Sequence, residues 1–65
     1  MTELDPIIRL RDLPKFVGLR RTQIAALIAR GDFPRPIALS ERARGWLSSE
    51  VAAWQHKRIA ERDRG

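Results

Sequence analysis

Two glycines, followed by closely spaced prolines, most constrain how this chain of 65 residues folds. Between Gly18 and Gly31 the chain carries Ile24, Leu27 and Ile28 at helical spacing, with alanines among them. Glycine is favoured in the left-handed conformation that ends a helix, and proline cannot continue one. The pattern therefore predicts a helix over about residues 20–30 with a sharp end.

A shorter helix is predicted just before this one, in the stretch "IIRLRDLPKFVG". Leu13, Phe16 and Val17 follow helical spacing, and Pro14 must lie in the first turn or interrupt the helix. Gly18 then ends it in a tight turn. Two helices joined in this way form a helix-turn-helix.

The next segment, "PIALSERARGW", predicts a small hairpin over about residues 36–46. Ile37 and Leu39 alternate with a smaller residue, and a polar turn at residues 40–43 leads to Trp46. We expect Ile37, Leu39 and Trp46 to face the helices, because an isolated hairpin is only marginally stable in water. A hairpin beside a helix-turn-helix is a wing.

A last helix is predicted over about residues 48–62. Ser48 is a plausible N-cap, and Val51, Trp54 and Ile59 form one apolar stripe. We expect both tryptophans, Trp46 and Trp54, to pack in the core. The terminal stretches "MTELDP" and "ERDRG" are expected to fray. The fold predicted for residues 1–65 is a mainly α, single-domain, small winged helix-turn-helix with about three helices and a two-stranded β-hairpin wing.

The composition argues against several kinds of functional site. There are no cysteines and His56 is the single histidine, so no disulfide, metal site or cofactor is expected. No catalytic set is present either, and we expect no enzyme activity. The absence of a long apolar run or a signal-peptide pattern predicts a cytoplasmic, nucleoid-associated protein that does not bind membranes.

The formal net charge of +5 and the sequence pI of about 11.4 favour a polyanionic partner, most often nucleic acid. Almost all the cations are arginines, which bind phosphate or guanine through two hydrogen bonds at once. Double-stranded DNA is the expected partner.

Four polar residues stand at the start of the second predicted helix, the end by which a recognition helix enters the major groove. Arginine pairs with guanine, glutamine with adenine, and threonine with a phosphate or a thymine methyl group. Ala26, one turn on, either meets a thymine methyl or allows close approach. Arg20 occupies the expected N-cap, which costs about 1 kcal/mol against a capping residue. The candidate DNA contacts of this helix are Arg20, Arg21, Thr22, Gln23 and Ala26.

Three further arginines are candidate DNA contacts. Arg42 and Arg44 lie on or beside the turn of the predicted wing, and wings commonly follow a neighbouring backbone or minor groove. Arg35 lies where the chain leaves the recognition helix.

The stretch "GLRRTQIAALIARGDFPRPIALSERARGW", followed by "SSEVAAW", resembles the AlpA family of phage and prophage regulators, grouped with MerR-like and excisionase winged helices. The similarity runs from about Leu10 to Trp54. It implies a small DNA-binding protein that activates transcription, or an excisionase that bends attachment-site DNA for a recombinase. Implied partners beyond DNA are a recombinase or integrase, or RNA polymerase.

Other functions remain open from sequence alone. A basic protein-interaction module, or an antitoxin-like partner of an acidic protein, is one alternative, and RNA or ribosome binding is another. The last helix contains too few heptads to form a coiled-coil dimer. We therefore expect a monomer in solution that assembles cooperatively on DNA repeats.

Overall fold

The computed structural model of the chain describes residues 3–65, and these form a small winged helix-turn-helix, as the sequence predicts. Three helices accompany a three-stranded antiparallel sheet. In chain order the elements are β1 (Ile7–Arg9), α1 (Leu13–Val17), α2 (Arg21–Ala29), β2 (Ile37–Ala38), β3 (Arg44–Leu47) and α3 (Ser48–Arg64).

Helices α1 and α2 are joined by the predicted glycine turn. Pro14 lies in the first turn of α1, where its missing N–H costs no helical hydrogen bond. Gly18 has φ of 73°, and its N–H donates to the carbonyl oxygen of Pro14 at 2.8 Å. This confirms that α1 ends at Gly18, and it turns the chain directly into α2.

The end of α2 is a Schellman motif. Gly31 has φ of 79°, which confirms its expected left-handed conformation. Its N–H donates to Ile28 O at 3.0 Å, and the N–H of Asp32 donates to Leu27 O at 2.8 Å. Phe33 then packs back into the core. The helix is thereby stopped at a fixed place relative to the wing.

The sheet contains a strand that the sequence analysis did not predict. We expected a two-stranded hairpin, but β3 is the central strand and pairs with β2 on one side and with β1 on the other. Ile7 is opposite Leu47 and Ile8 is opposite Trp46, while Ile37 is opposite Gly45. The N-terminal segment is therefore part of the wing sheet, which fixes the wing to α1.

Gly45 of β3 is buried and lies opposite Arg9 of β1 on one side and Ile37 of β2 on the other. A Cβ atom there would collide with the Ile7 side chain and lie 3.1 Å from Leu39 Cδ1. Leu39 thus covers this part of the sheet and is 43% exposed, so its expected place against the helices is wrong. Strand β2 ends at Ala38, so Leu39 belongs to the turn that follows. The Leu39 N–H donates to Ala43 O at 2.8 Å and closes this turn.

The core is small and lies between the helices and the inner face of the sheet. Leu13 from α1 and Ile24 from α2 are essentially inaccessible to solvent. Trp46 is buried as predicted, and Trp54 packs half-buried against the same cluster. The buried residues of the core are Leu13, Ile24, Phe33, Trp46 and Val51.

The start of α3 differs from the prediction. Ser48 is the first helical residue and not the N-cap. Its N–H donates to Pro6 O at 2.9 Å, and the N–H of Ser49 donates to Asp5 Oδ1 at 3.2 Å. The Ser49 hydroxyl donates to the other carboxylate oxygen of Asp5. The expectation of a frayed N-terminus is therefore wrong from Asp5 onward, because this segment caps α3; Met1 and Thr2 lie outside the described residues.

The far end of α3 continues beyond the predicted limit, to Arg64, so most of "ERDRG" is helical. Val51 is buried, but Ile59, predicted on the same stripe, is 41% exposed because it lies beyond the last core contact. Phe16 of α1 is also mainly exposed. None of the helices described in residues 3–65 is long and apolar enough to cross a membrane.

Candidate nucleic-acid interface

The first turn of α2 is exposed, and it carries the polar residues that the sequence analysis selected. Arg20 is the N-cap, with extended backbone at φ of −80° and ψ of 160°. Its side chain makes no capping hydrogen bond, because a guanidinium group has no acceptor. Arg20, Arg21 and Thr22 are all solvent-exposed. The side chains at this end are therefore available to a ligand.

Gln23 differs from its neighbours because its side chain is already engaged. The N–H of Arg20 donates to Gln23 Oε1 at 2.9 Å, which is the reciprocal half of a capping box. The sequence analysis did not foresee this bond, and Gln23 stays a predicted DNA contact. Its Nε2 atom remains the group available for an outside contact.

The outward face of α2 is made of small side chains. With 3.6 residues per turn, Ile24 sets the buried side of the helix, and the residues opposite it all lie in solvent. A face of this kind lets another molecule approach the helix backbone closely. It consists of Thr22, Ala25, Ala26 and Ala29.

One flank of α2 forms a groove with α3, of about 350 Å³. Gln23, Ala26 and Arg30 line it from α2 and its C-terminal end, and Trp54 and Arg58 line it from α3. The two cations of this groove are paired, since Arg30 Nε is 3.3 Å from an oxygen of Asp32 and Arg58 Nη1 is 3.3 Å from one of Glu61. The two cations of this flank are therefore already partnered by carboxylates of the chain itself.

The other flank of α2 faces the wing and is much more basic. Arg21 lies there beside Arg42 and Arg44 of the wing, three residues that the sequence analysis selected on separate grounds. Arg9 of β1 and Arg11 of the following turn complete the same cleft, which measures about 210 Å³. We refer to these five residues as the arginine cleft.

Arg9 and Arg11 were missed from the sequence. Their approach to α2 depends on the pairing of β1 with β3, which brings residue 9 opposite residue 45. The available signal was the β-branched pair Ile7 and Ile8 ahead of the two arginines, which is typical of a strand. Arg35, by contrast, is exposed between α2 and β2 and lines neither flank.

His56 and Asp32 line neither flank of α2. His56 is exposed on α3, and Asp32 is engaged with Arg30. Within residues 3–65 no group of three or more His, Cys, Asp or Glu side chains is placed to hold a metal ion. The arrangement is suited to contact with an anionic surface.

Comparison with known proteins gives two matches. The family model described as "Prophage CP4-57 regulatory protein (AlpA)" matches residues 6–59. "Uncharacterized protein ORF88" of Enterobacteria phage P4 is 41% identical to this chain over 58 residues. That alignment covers 89% of this chain and 66% of ORF88, so the chain spans just under two thirds of this relative's length. The family match contains all three strands, α1, α2 and most of α3.

Proposed function

This chain belongs to the AlpA family of prophage regulatory proteins, and on that premise we propose that it is a sequence-specific double-stranded DNA-binding regulator of a phage, prophage or other integrated element. One observation carries the proposal: the first turn of α2 presents free polar side chains to solvent beside a basic wing. In helix-turn-helix proteins this end of the second helix enters the major groove.

The small outward face of α2 supports insertion into the groove. Ala25, Ala26 and Ala29 allow the helix backbone to approach base edges closely, and Ala26 is placed to meet a thymine methyl group. Thr22 lies on the same face at the N-terminal end. Large side chains are thus confined to the first turn and the two flanks of the helix.

Base reading on this proposal falls chiefly on Arg20 and Gln23. Arg20 pairs with guanine O6 and N7 through its two terminal nitrogens. Gln23 Oε1 accepts from the Arg20 N–H, and on this proposal Nε2 donates to a base acceptor while the helix cap is kept. A single donated bond also specifies a base less strictly than a two-bond pair.

The wing and the helix exit hold the DNA backbone on this proposal. Arg42 and Arg44 are exposed at the hairpin turn, and Arg35 is exposed where the chain leaves α2. Contacts of this kind fix the register of α2 on the duplex and carry no base information by themselves.

The central experiment is selection of bound fragments with this protein from genomic and random duplex DNA, mixed with an RNA pool as competitor. We expect a short preferred site, found in repeats, near genes of an integrated element. Recovery of RNA over duplex DNA, or of no preferred sequence, would overturn the proposal.

The variant Arg20→Ala gives a residue-level prediction. We expect it to cost about 1–3 kcal/mol of binding to the preferred site and to relax discrimination at one base pair. Folding stability should be unchanged, because the Arg20 side chain makes no capping bond. Fluorescence anisotropy on single-base variants of the site measures the effect, and Lys15→Ala, which removes one exposed charge of α1, is the control. Equal weakening on every duplex would show that Arg20 does not read a base.

The finer role is either transcription activator or excisionase. A nine-residue recognition helix and a single wing offer a small footprint, which favours cooperative binding to adjacent repeats. An excisionase bends attachment-site DNA and acts with a recombinase or integrase, whereas an activator acts through RNA polymerase at a promoter. Circular-permutation bending assays on an attachment site, set against promoter activation in cells, decide between them.

A further inference from the structure

The arginine cleft is lined by five arginines from separate parts of the chain. The cleft lies between the first residue of α2, the strand β1 with its following turn, and the hairpin of the wing. Its remaining lining residue is Leu10, and no carboxylate lines it. The lining arginines are Arg9, Arg11, Arg21, Arg42 and Arg44.

None of these arginines is paired with an acid in the part of the chain that the structure describes. The ion pairs of residues 3–65 all involve other arginines, namely Arg30, Arg58 and Arg62. The polar contact recorded for the cleft is from Arg44 Nη1 to Ser40 O, at 3.4 Å. Positive charges gathered without a counter-charge repel one another, so the fold gains no stability from collecting them here. The arrangement is explained by a ligand that carries negative charge.

The chemistry of the cleft suits a phosphate group. Guanidinium groups are planar and donate two parallel hydrogen bonds to phosphate oxygens. Arginines that approach from several directions can engage more than one oxygen of a single phosphodiester. A volume of about 210 Å³ accommodates one phosphate group.

The position of the cleft identifies the source of that phosphate. Arg21 is the first residue of α2, next to Thr22 on the outward face. A 3.6-residue period turns Arg21 toward the wing, away from the face that Thr22 and Ala26 share. A duplex that receives the outward face in its major groove therefore brings its backbone to the cleft.

We propose that the arginine cleft holds one backbone phosphate of the DNA duplex, with Arg9 and Arg11 as contacts supplied from outside both the helix-turn-helix and the hairpin. Arg21 serves this phosphate and does not read a base. The inference rests on the proposed function, since it takes the ligand to be the DNA that α2 recognises. It adds the N-terminal strand to the DNA-binding surface.

The first test measures how affinity depends on salt. The double variant R9Q/R11Q should bind every duplex more weakly by the same factor. The slope of log K against log salt should become shallower by up to about 0.9, the value for the one phosphate that the cleft holds. R21A should behave in the same way. The control K15Q/R64Q removes two exposed charges outside the cleft and should keep the wild-type slope. The single variant R11Q repeats the test without changing strand β1, should the double variant fail to fold.

The second test locates the phosphate. A series of duplexes, each with one uncharged methylphosphonate, should contain one position that weakens the wild type. At that position R9Q/R11Q should lose little further affinity, because the interacting pair is already broken. Full additivity at every position would overturn the inference.

A third measurement separates this inference from the proposed function. Titration with inorganic phosphate, against matched sodium chloride, should shift the NMR signals of the Nε–H groups of Arg9, Arg11 and Arg21 together. If those shifts occur and no duplex sequence is preferred, the phosphate site stands and the proposed regulator function fails. If a preferred site is bound and R9Q/R11Q leaves the salt slope unchanged, the function stands and the cleft assignment fails. If neither phosphate nor DNA binds, both fail.

Discussion

At the scale of single residues, the two tryptophans differ in whether the indole N–H makes a hydrogen bond to the chain. Trp46 Nε1 donates to Pro34 O at 2.7 Å, which ties the sheet to the segment that leaves α2. Trp54 Nε1 is buried and has no partner among residues 3–65. Both rings meet Phe33 edge to face, with centroids 6.3 Å and 5.0 Å away. Trp46 is buried and Trp54 half-buried, and the two also differ in what the indole N–H contributes.

We therefore expect Trp46→Phe to destabilise the fold more than Trp54→Phe. The first change leaves the Pro34 carbonyl without its partner, which costs about 1–3 kcal/mol beyond the lost packing. The second change removes an N–H group that makes no bond to the chain. Urea unfolding, with m-values compared to check for two-state behaviour, measures both. Equal losses would mean that the Trp46 bond contributes nothing net.

At the scale of elements, β3 holds the wing together because it pairs on both sides, and Gly45 lets it do so. The Ile7 side chain occupies the space where a Cβ of residue 45 would lie. Gly45→Ala is expected to destabilise the protein by about 1–3 kcal/mol, through overpacking between β1 and β3. Thermal unfolding measures this loss.

Ile7→Ala supplies the matched control for that prediction. Ile7 is 40% exposed, so its truncation alone should cost less than that of a buried isoleucine. The double variant I7A/G45A should recover most of the loss caused by Gly45→Ala, because the collision is removed. Strict additivity of the two single changes would place the cost elsewhere.

At the scale of the whole molecule, the N-terminal segment and the last helix depend on each other. Asp5 accepts hydrogen bonds from the N–H and hydroxyl of Ser49, across 44 positions of sequence. A carboxylate at a helix N-terminus satisfies free N–H groups and interacts favourably with the helix dipole. Asp5→Ala should cost about 0.5–2 kcal/mol, whereas Asp5→Asn, another good cap, should retain most of the stability.

Chemical denaturation of the two Asp5 variants, with amide hydrogen exchange in the first turn of α3, measures that effect. Faster exchange confined to this turn in Asp5→Ala is the expected pattern. If Asp5→Asn were as unstable as Asp5→Ala, the cap would not explain the contribution of Asp5.

What could be predicted from the sequence was set by local signals. Glycine and proline stop helices wherever they stand, so the ends of α1 and α2 at Gly18 and Gly31 followed from a few neighbouring residues. The strand β1, the cap from Asp5 and the arginine cleft each require residues far apart in the chain to meet. No local pattern encodes which strand Ile7 pairs with. The interface was therefore predicted on α2 and the wing, and missed on β1.

The pairing of β1 with β3 also sets the order in which this chain can fold during its synthesis. Strand β1 leaves the ribosome before β3, its partner strand, which extends to Leu47. The hydrogen bonds of Asp5 form only once Ser49 has emerged. Until those residues emerge, Arg9 and Arg11 are not held beside Arg21. A growing chain therefore carries the helix-turn-helix sequence before the basic surface is complete, and the arginine cleft forms only after Leu47 and Ser49 have emerged.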